Sequence, residues 1–153
     1  MAEMQKQVLV VDDDADTRSL LGALLTRQGL LVDFADDGAA ALALISDHSY
    51  AVVLLDLLMP GTDGFAVLDR LAQPSVTSAP VVLVITGADR SVVDRLDARR
   101  IHGVVRKPFD PEEVAALVVA CADIKSRSTF GTMALATMLA GSSLLEWLNR
   151  FAR

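Results

Sequence analysis

The stretch that most constrains the fold is Ala51 to Gly64, AVVLLDLLMPGTDG. Five apolar residues run into Asp56 without alternation, and a loop containing Pro60 and Gly61 follows. An unbroken Val/Leu run marks a strand buried on both faces, as in a parallel sheet, rather than a strand with one wet side. Strands of open parallel sheets deliver their C-terminal ends to a crevice where ligands bind. Asp56 is therefore expected at the mouth of such a crevice. The plainer alternative is a carboxylate that ends a strand and starts a turn. Whether other strands bring matching chemistry to the same edge decides between the two.

The rest of the chain supplies those strands. Gln7–Val11 is a predicted first strand ending on Asp12, Asp13 and Asp14. Asp14 or Asp16 can N-cap the helix that follows to about Gln28, with Leu21, Leu24 and Leu25 on one face and Gly29 as its stop. Leu31–Ala35 is the second strand, and a helix over about Asp37–Asp47 turns Leu42 and Ile45 inward. The third strand is Ala51–Asp56. Asp63-Gly64 opens a short helix to about Ala72, and Val81–Thr86 is the fourth strand. A polar helix is expected over Asp89–Arg99, then a fifth strand over Gly103–Arg106 that runs into Lys107-Pro108. Pro111 starts a last helix to about Lys125, whose Val114, Leu117, Val118 and Cys121 form a core face. Strand and helix alternate five times, which means an α/β fold with a doubly wound, five-stranded parallel sheet.

Composition enters where it excludes. The net charge of −6 argues against nonspecific binding to nucleic acid. That charge is uneven: residues 1–124 hold 10 basic and 19 acidic side chains, residues 125–153 hold 4 and 1. The single cysteine, Cys121, rules out an internal disulfide and reads as a buried structural thiol. No basic, apolar signal segment opens the chain, so a cytoplasmic address is expected. His48 and His102 are isolated, read as surface or loop residues, and are assigned no metal.

Reading across the C-terminal strand ends gives Asp12 and Asp13 from strand one, Asp56 from three, Thr86 from four and Lys107 from five. Three carboxylates packed together repel unless a cation neutralises them. A hard divalent ion with oxygen ligands, Mg²⁺, resolves this and leaves positions open for phosphate oxygens. A hydroxyl and an ammonium aimed at the same spot suit a transferred phosphoryl group. Asp56 can then act as nucleophile and become an aspartyl phosphate.

The segments VLVVDDDADTR, VVLLDLLMPGTDG, VVLVITG and VVRKPFD resemble the receiver domain of two-component response regulators, over about Gln7–Lys125. The resemblance implies a flavodoxin-like strand order 2-1-3-4-5 and a phosphoprotein of phosphorelay signal transduction. It implies that Asp56 accepts phosphate from a phosphohistidine of a histidine kinase or phosphotransfer protein. Asp13 and Asp56 would bind Mg²⁺ directly with the Leu58 carbonyl, Asp12 through water, while Thr86 and Lys107 contact the phosphoryl oxygens. It implies a cis Lys107–Pro108 bond, and no enzyme activity beyond the chain's own phosphorylation and dephosphorylation. The sequence departs from the family pattern in three ways. Val104 stands where an aromatic residue is usual, three before the lysine. Leu58 and Ala88, two beyond Asp56 and Thr86, are apolar where side chains influence how water reaches the acyl phosphate. No familiar output domain follows.

The expected division is a receiver domain over 5–125 and an apolar, helical tail over 126–153. Ser128–Leu145 holds no charge, and Phe130, Ala134, Thr137, Gly141, Leu144, Leu145, Leu148 and Phe151 make one stripe of a helix over Thr129–Phe151. Packing on the receiver or on a second copy, membrane association and disorder all stand as readings of it. The favoured function is a single-domain response regulator that signals by changed protein–protein interaction with an unnamed downstream protein, or by passing phosphate onward. A homodimer through the tail or through helices four and five stays open. The alternative is a phosphorylation-independent interaction module whose tail mediates oligomerisation or membrane association. A Mg²⁺-dependent phosphatase would want a second Asp two residues beyond the first, where Leu58 stands.

Overall fold

The computed structural model describes residues 6–61, 64–73 and 79–127. Within them strand and helix alternate: β1 (Gln7–Val11), α1 (Ala15–Arg27), β2 (Leu31–Ala35), α2 (Gly38–Asp47), β3 (Val52–Leu55), α3 (Gly64–Leu71), β4 (Val81–Thr86), α4 (Arg90–Val93), β5 (Gly103–Arg106) and α5 (Pro111–Arg127). The strands form one sheet in the order β2-β1-β3-β4-β5. Every neighbouring pair is parallel, so each connection must cross from one end of the sheet to the other. Residues 126–153 of the expected tail lie outside the described residues except for the backbone of 126 and 127, which continues α5.

The central strands explain their own composition. β1, β3 and β4 each have neighbours on both sides, and their side chains alternate between two separate apolar layers. Val8, Val10, Leu54, Leu83 and Ile85 pack with Leu21 and Leu25 of α1 and Val114 and Val118 of α5. Leu9, Val11, Val53, Leu55, Val82 and Val84 pack with Ala41 and Ile45 of α2 and Val67 and Leu68 of α3. Alternation has no polar side to report when both layers are dry, hence the continuous Val/Leu runs. Cys121 is buried in the first layer, and burial pushes its thiol up to about 11, as an inert structural cysteine requires. Among the described residues no helix is long and apolar enough to cross a membrane.

Capping follows the chemistry of the side chains. Asp14 is the N-cap of α1, its carboxylate accepting from Asp16 N at 3.1 Å and from Thr17 Oγ1 at 2.7 Å. Asp37 caps α2 in the same manner, accepting from Ala40 N at 2.7 Å.

One expectation needs correcting and another narrowing. The polar helix over Asp89–Arg99 forms only four residues, Arg90–Val93. Beyond it the chain tightens into turns, with Arg95 N donating to Val92 O, Leu96 N to Val93 O and Arg100 N to Asp97 O. The Asp97 carboxylate takes Arg99 N at 2.9 Å, offering the backbone an alternative to a helical ladder. His102 lies in the loop just before β5, within its surface-or-loop reading, but it is not left at the surface. It is partly buried, its N–H donates to Val82 O at 2.8 Å, and its ring Nδ1 accepts from Val82 N at 3.0 Å. A side chain here completes a ladder that β5 begins one residue later.

Candidate functional site

Three strands end in the same local device. Asp12 follows β1, Asp56 follows β3, and Thr86 is the last residue of β4. Each accepts a hydrogen bond from the backbone N–H two residues on: Asp12 Oδ1 from Asp14 at 2.9 Å, Asp56 Oδ1 from Leu58 at 3.0 Å, and Thr86 Oγ1 from Ala88 at 3.0 Å. These turns end a strand and curl a polar side chain back over the sheet edge. The turn reading of Asp56 is thus correct as far as it goes, and it is compatible with a site.

What makes it a site is convergence. Lys107 Nζ lies 2.8 Å from Asp12 Oδ2 and 2.9 Å from Asp56 Oδ2. Asp12 and Asp56 are buried, whereas Asp13 is exposed, yet carboxylate oxygens of all three lie within 4.8 Å of one another. The sheet sets this spacing. Asp56 N donates to Val11 O at 2.9 Å and Asp12 N to Ala35 O at 3.1 Å, extending the ladders by one step. Lys107 N donates to Thr86 O at 3.0 Å, tying the ammonium-bearing residue to the end of β4, and the Lys107–Pro108 bond is cis. Thr86 is fully buried, its hydroxyl oxygen held by the Ala88 N–H.

The electrostatics are unbalanced. Burial pushes the Asp56 carboxyl above the usual carboxylate range; Lys107 and the Leu58 N–H offset this in part, and Asp12 adds to it. Burial works against the Lys107 charge, but the carboxylates of Asp12 and Asp56 outweigh it and hold the ammonium above its ordinary value. With all four groups ionised, three carboxylates and one ammonium leave two negative charges uncompensated, which a divalent cation matches. Hard oxygen donors facing open solvent at Asp13 are the donor set Mg²⁺ takes.

Two residues at the site carry more than the sequence signalled. Gly64 opens α3, and a Cβ there would stand 2.6 Å from Asp56 O and 2.7 Å from Leu57 Cα, so only glycine lets the helix start against the strand end. A glycine at a helix start rather than its stop was the available clue. Arg18, one turn into α1, donates from Nη1 to Asp12 O at 2.6 Å; nothing in its spacing pointed there. Leu58 is 53% exposed beside Asp56, while Ala88 is buried. Val104 packs partly buried against the layer that also takes Val92, Leu96 and Ile101.

The profile of the response regulator receiver domain matches residues 8–119. The chain belongs to that family. Transcriptional regulatory protein ResD of Bacillus subtilis is 34% identical over 126 residues, covering 82% of this chain and 52% of ResD. The chain spans about half the length of the curated relatives it matches. A CheY-like receiver domain protein from Methanospirillum hungatei superposes with a TM-score of 0.72 at 19% identity, covering 81% of this chain and 98% of that one. Thermotoga maritima TrrA, solved in complex with Mg²⁺ and BeF, gives a TM-score of 0.65 at 27% identity, covering 76% and 99%. The receiver fold, its 2-1-3-4-5 sheet and its place in two-component signalling are therefore those of the family.

Proposed function

We propose that this receiver takes a phosphoryl group onto Asp56 from a phosphohistidine of a histidine kinase or phosphotransfer protein. The observation that carries the reading is the convergence of Asp12, Asp56 and Lys107 within 2.9 Å at the ends of three strands, with Asp13 beside them. An Asp56 carboxylate oxygen attacks phosphorus, the P–N bond to the imidazole breaks, and the imidazole leaves with the electron pair and takes a proton from solvent. The product is a mixed anhydride, which water later cleaves to return the carboxylate and inorganic phosphate. Lys107 pairs with Asp56 before the transfer and with a phosphoryl oxygen after it, so that the developing charge meets a fixed cation. Thr86 supplies a hydroxyl to another phosphoryl oxygen once it leaves the Ala88 N–H.

Mg²⁺, when bound, neutralises charge on the carboxylates and on the phosphoryl oxygens during transfer. Asp13, Asp56 and the Leu58 carbonyl would hold it, with Asp12 acting through water. The TrrA complex, in which that relative holds Mg²⁺ and BeF, supports the same ion here.

Output comes from altered binding to a downstream protein or from onward phosphotransfer, by a receiver over 5–125 to which the segment 126–153 is attached. A phosphoramidate donor, which presents a P–N bond, tests the reading. Intact mass spectrometry is expected to show one added phosphoryl group with Mg²⁺ and none with EDTA. Labelling that ignores EDTA would overturn the Mg²⁺-dependent reaction.

A further inference from the structure

Asp12 is tethered at every polar group it has. Its N–H donates to Ala35 O, its Oδ1 accepts from Asp14 N, its Oδ2 meets Lys107 Nζ, and its C=O accepts from Arg18 Nη1 at 2.6 Å. Asp13, the next residue, is exposed and offers the carboxylate that completes the acidic cluster. What aims that carboxylate is therefore the backbone on either side of it.

Arg18 holds that backbone from both ends. Its guanidinium takes the Asp12 carbonyl, and its own amide donates to Asp14 O at 3.1 Å. The Asp12 C=O and the Asp13 N–H belong to one planar peptide unit, so pinning the first fixes the second and the Asp13 Cα, while the Asp14 N–H held by Asp12 Oδ1 fixes the peptide on the other side; together they set the direction in which the Asp13 side chain departs. The helix and its Asp14 cap secure the far side of the loop. Arg18 fastens the near side from outside the sheet.

We infer that Arg18 is a positioning residue for the cation site: it touches neither metal nor phosphate, but it orients Asp13 and so sets Mg²⁺ affinity. The inference rests on the reading of Asp12, Asp13 and Asp56 as a Mg²⁺ site. Its effect has a sign that distinguishes it from simple electrostatics. Removing a positive charge near a cation site would tighten Mg²⁺ binding, whereas loosening Asp13 weakens it. Partners that orient a metal ligand typically contribute about tenfold or more to affinity.

The test is calorimetric titration of the full chain with Mg²⁺ alone, comparing the unaltered protein with Arg18→Gln and Arg18→Lys, beside thermal unfolding of each in EDTA. Arg18→Gln is expected to raise Kd about tenfold while its metal-free melting stays close to the parent's. Arg18→Lys, which keeps one donor to the carbonyl, is expected to recover most of the affinity. Arg18→Met, which keeps the aliphatic stem, replaces Arg18→Gln if the latter loses its cooperative melt. Unchanged or tighter binding in the donor-less variant overturns the assignment of Arg18 alone. A parent protein that takes up no Mg²⁺ overturns the site reading, and the assignment with it.

Discussion

The two sides of the sheet edge are built on different principles. On the β1–β3 side, Asp12 and Asp56 stand on strands buried to the last residue, each fixed by a ladder bond and an i+2 turn. On the β4–β5 side, α4 is four residues long, turns replace the rest of the expected helix, and the apolar anchors Val92, Leu96, Ile101 and Val104 are only partly buried. On the second side β4 is equally buried, and it is the segment from α4 to β5 that has little apolar area holding it in place, which is where local opening is cheapest. On the proposed reading labour is divided accordingly: chemistry is held at the β1 and β3 ends, and Thr86 and Lys107 carry its result toward the α4–β5 segment.

Lys107 is the tie between the two sides, so its removal is expected to have the largest effect. Lys107→Ala should slow phosphoryl uptake roughly a hundredfold, the usual consequence of losing one charge-stabilising group. The apolar strands stay packed, so melting should fall much less than labelling does. Measured together, a large loss of melting temperature with normal labelling would make Lys107 structural and erase the contrast.

Gly64→Ala strikes the rigid side itself. The added methyl meets backbone atoms of Asp56 and Leu57 inside 3 Å, and neither can move without the strand. Overpacking of this kind costs about 1–3 kcal/mol, readable by denaturant unfolding, and labelling of Asp56 should fall with it. Normal stability would show that the strand end is softer than its hydrogen bonds suggest.

Beryllofluoride with Mg²⁺ probes the looser side. Amide chemical shifts should change most from Thr86 to Arg90 and little at Val104, since valine has one stiff rotamer and no ring to swing. Large changes centred on Val104 and absent at Thr86 would reverse the roles of these two positions.

The smallest expected effect is a slope in pH. Burial, and next the nearby charge of Lys125, hold His102 below the ordinary histidine value. A histidine whose folded pKa is depressed is destabilising once the unfolded chain binds the proton and the folded one does not. Stability should therefore be level above about pH 6.5 and decline as pH falls below it. His102→Gln, which can still accept from Val82 N–H, should flatten that slope in a pH series of thermal melts.

Legibility in the sequence followed the same division. The strands, their order by resemblance, and Asp12, Asp13, Asp56, Thr86 and Lys107 could be read because buried parallel strands leave unbroken apolar runs that end on polar residues. The length of α4 could not. The segment from Arg90 to Arg99 mixes helix-compatible spacing with an Asp97 carboxylate that captures its own backbone, and such competition is settled by geometry. His102 escaped for a related reason: a lone histidine has no periodicity, and only the parallel neighbour Val82 gives it a partner. Arg18 reaches Asp12 O across a loop, a contact that no spacing rule encodes.

The proposed function requires that Asp56, and not another carboxylate of the cluster, receive the phosphoryl group. Acetyl phosphate with Mg²⁺, followed by intact mass spectrometry of the parent chain and of Asp56→Asn, probes this without intermediaries. One added phosphoryl group is expected on the parent and none on the variant, while Asp13→Asn, assayed alongside, is labelled weakly and only at raised Mg²⁺. Persistent labelling of Asp56→Asn would contradict the assignment.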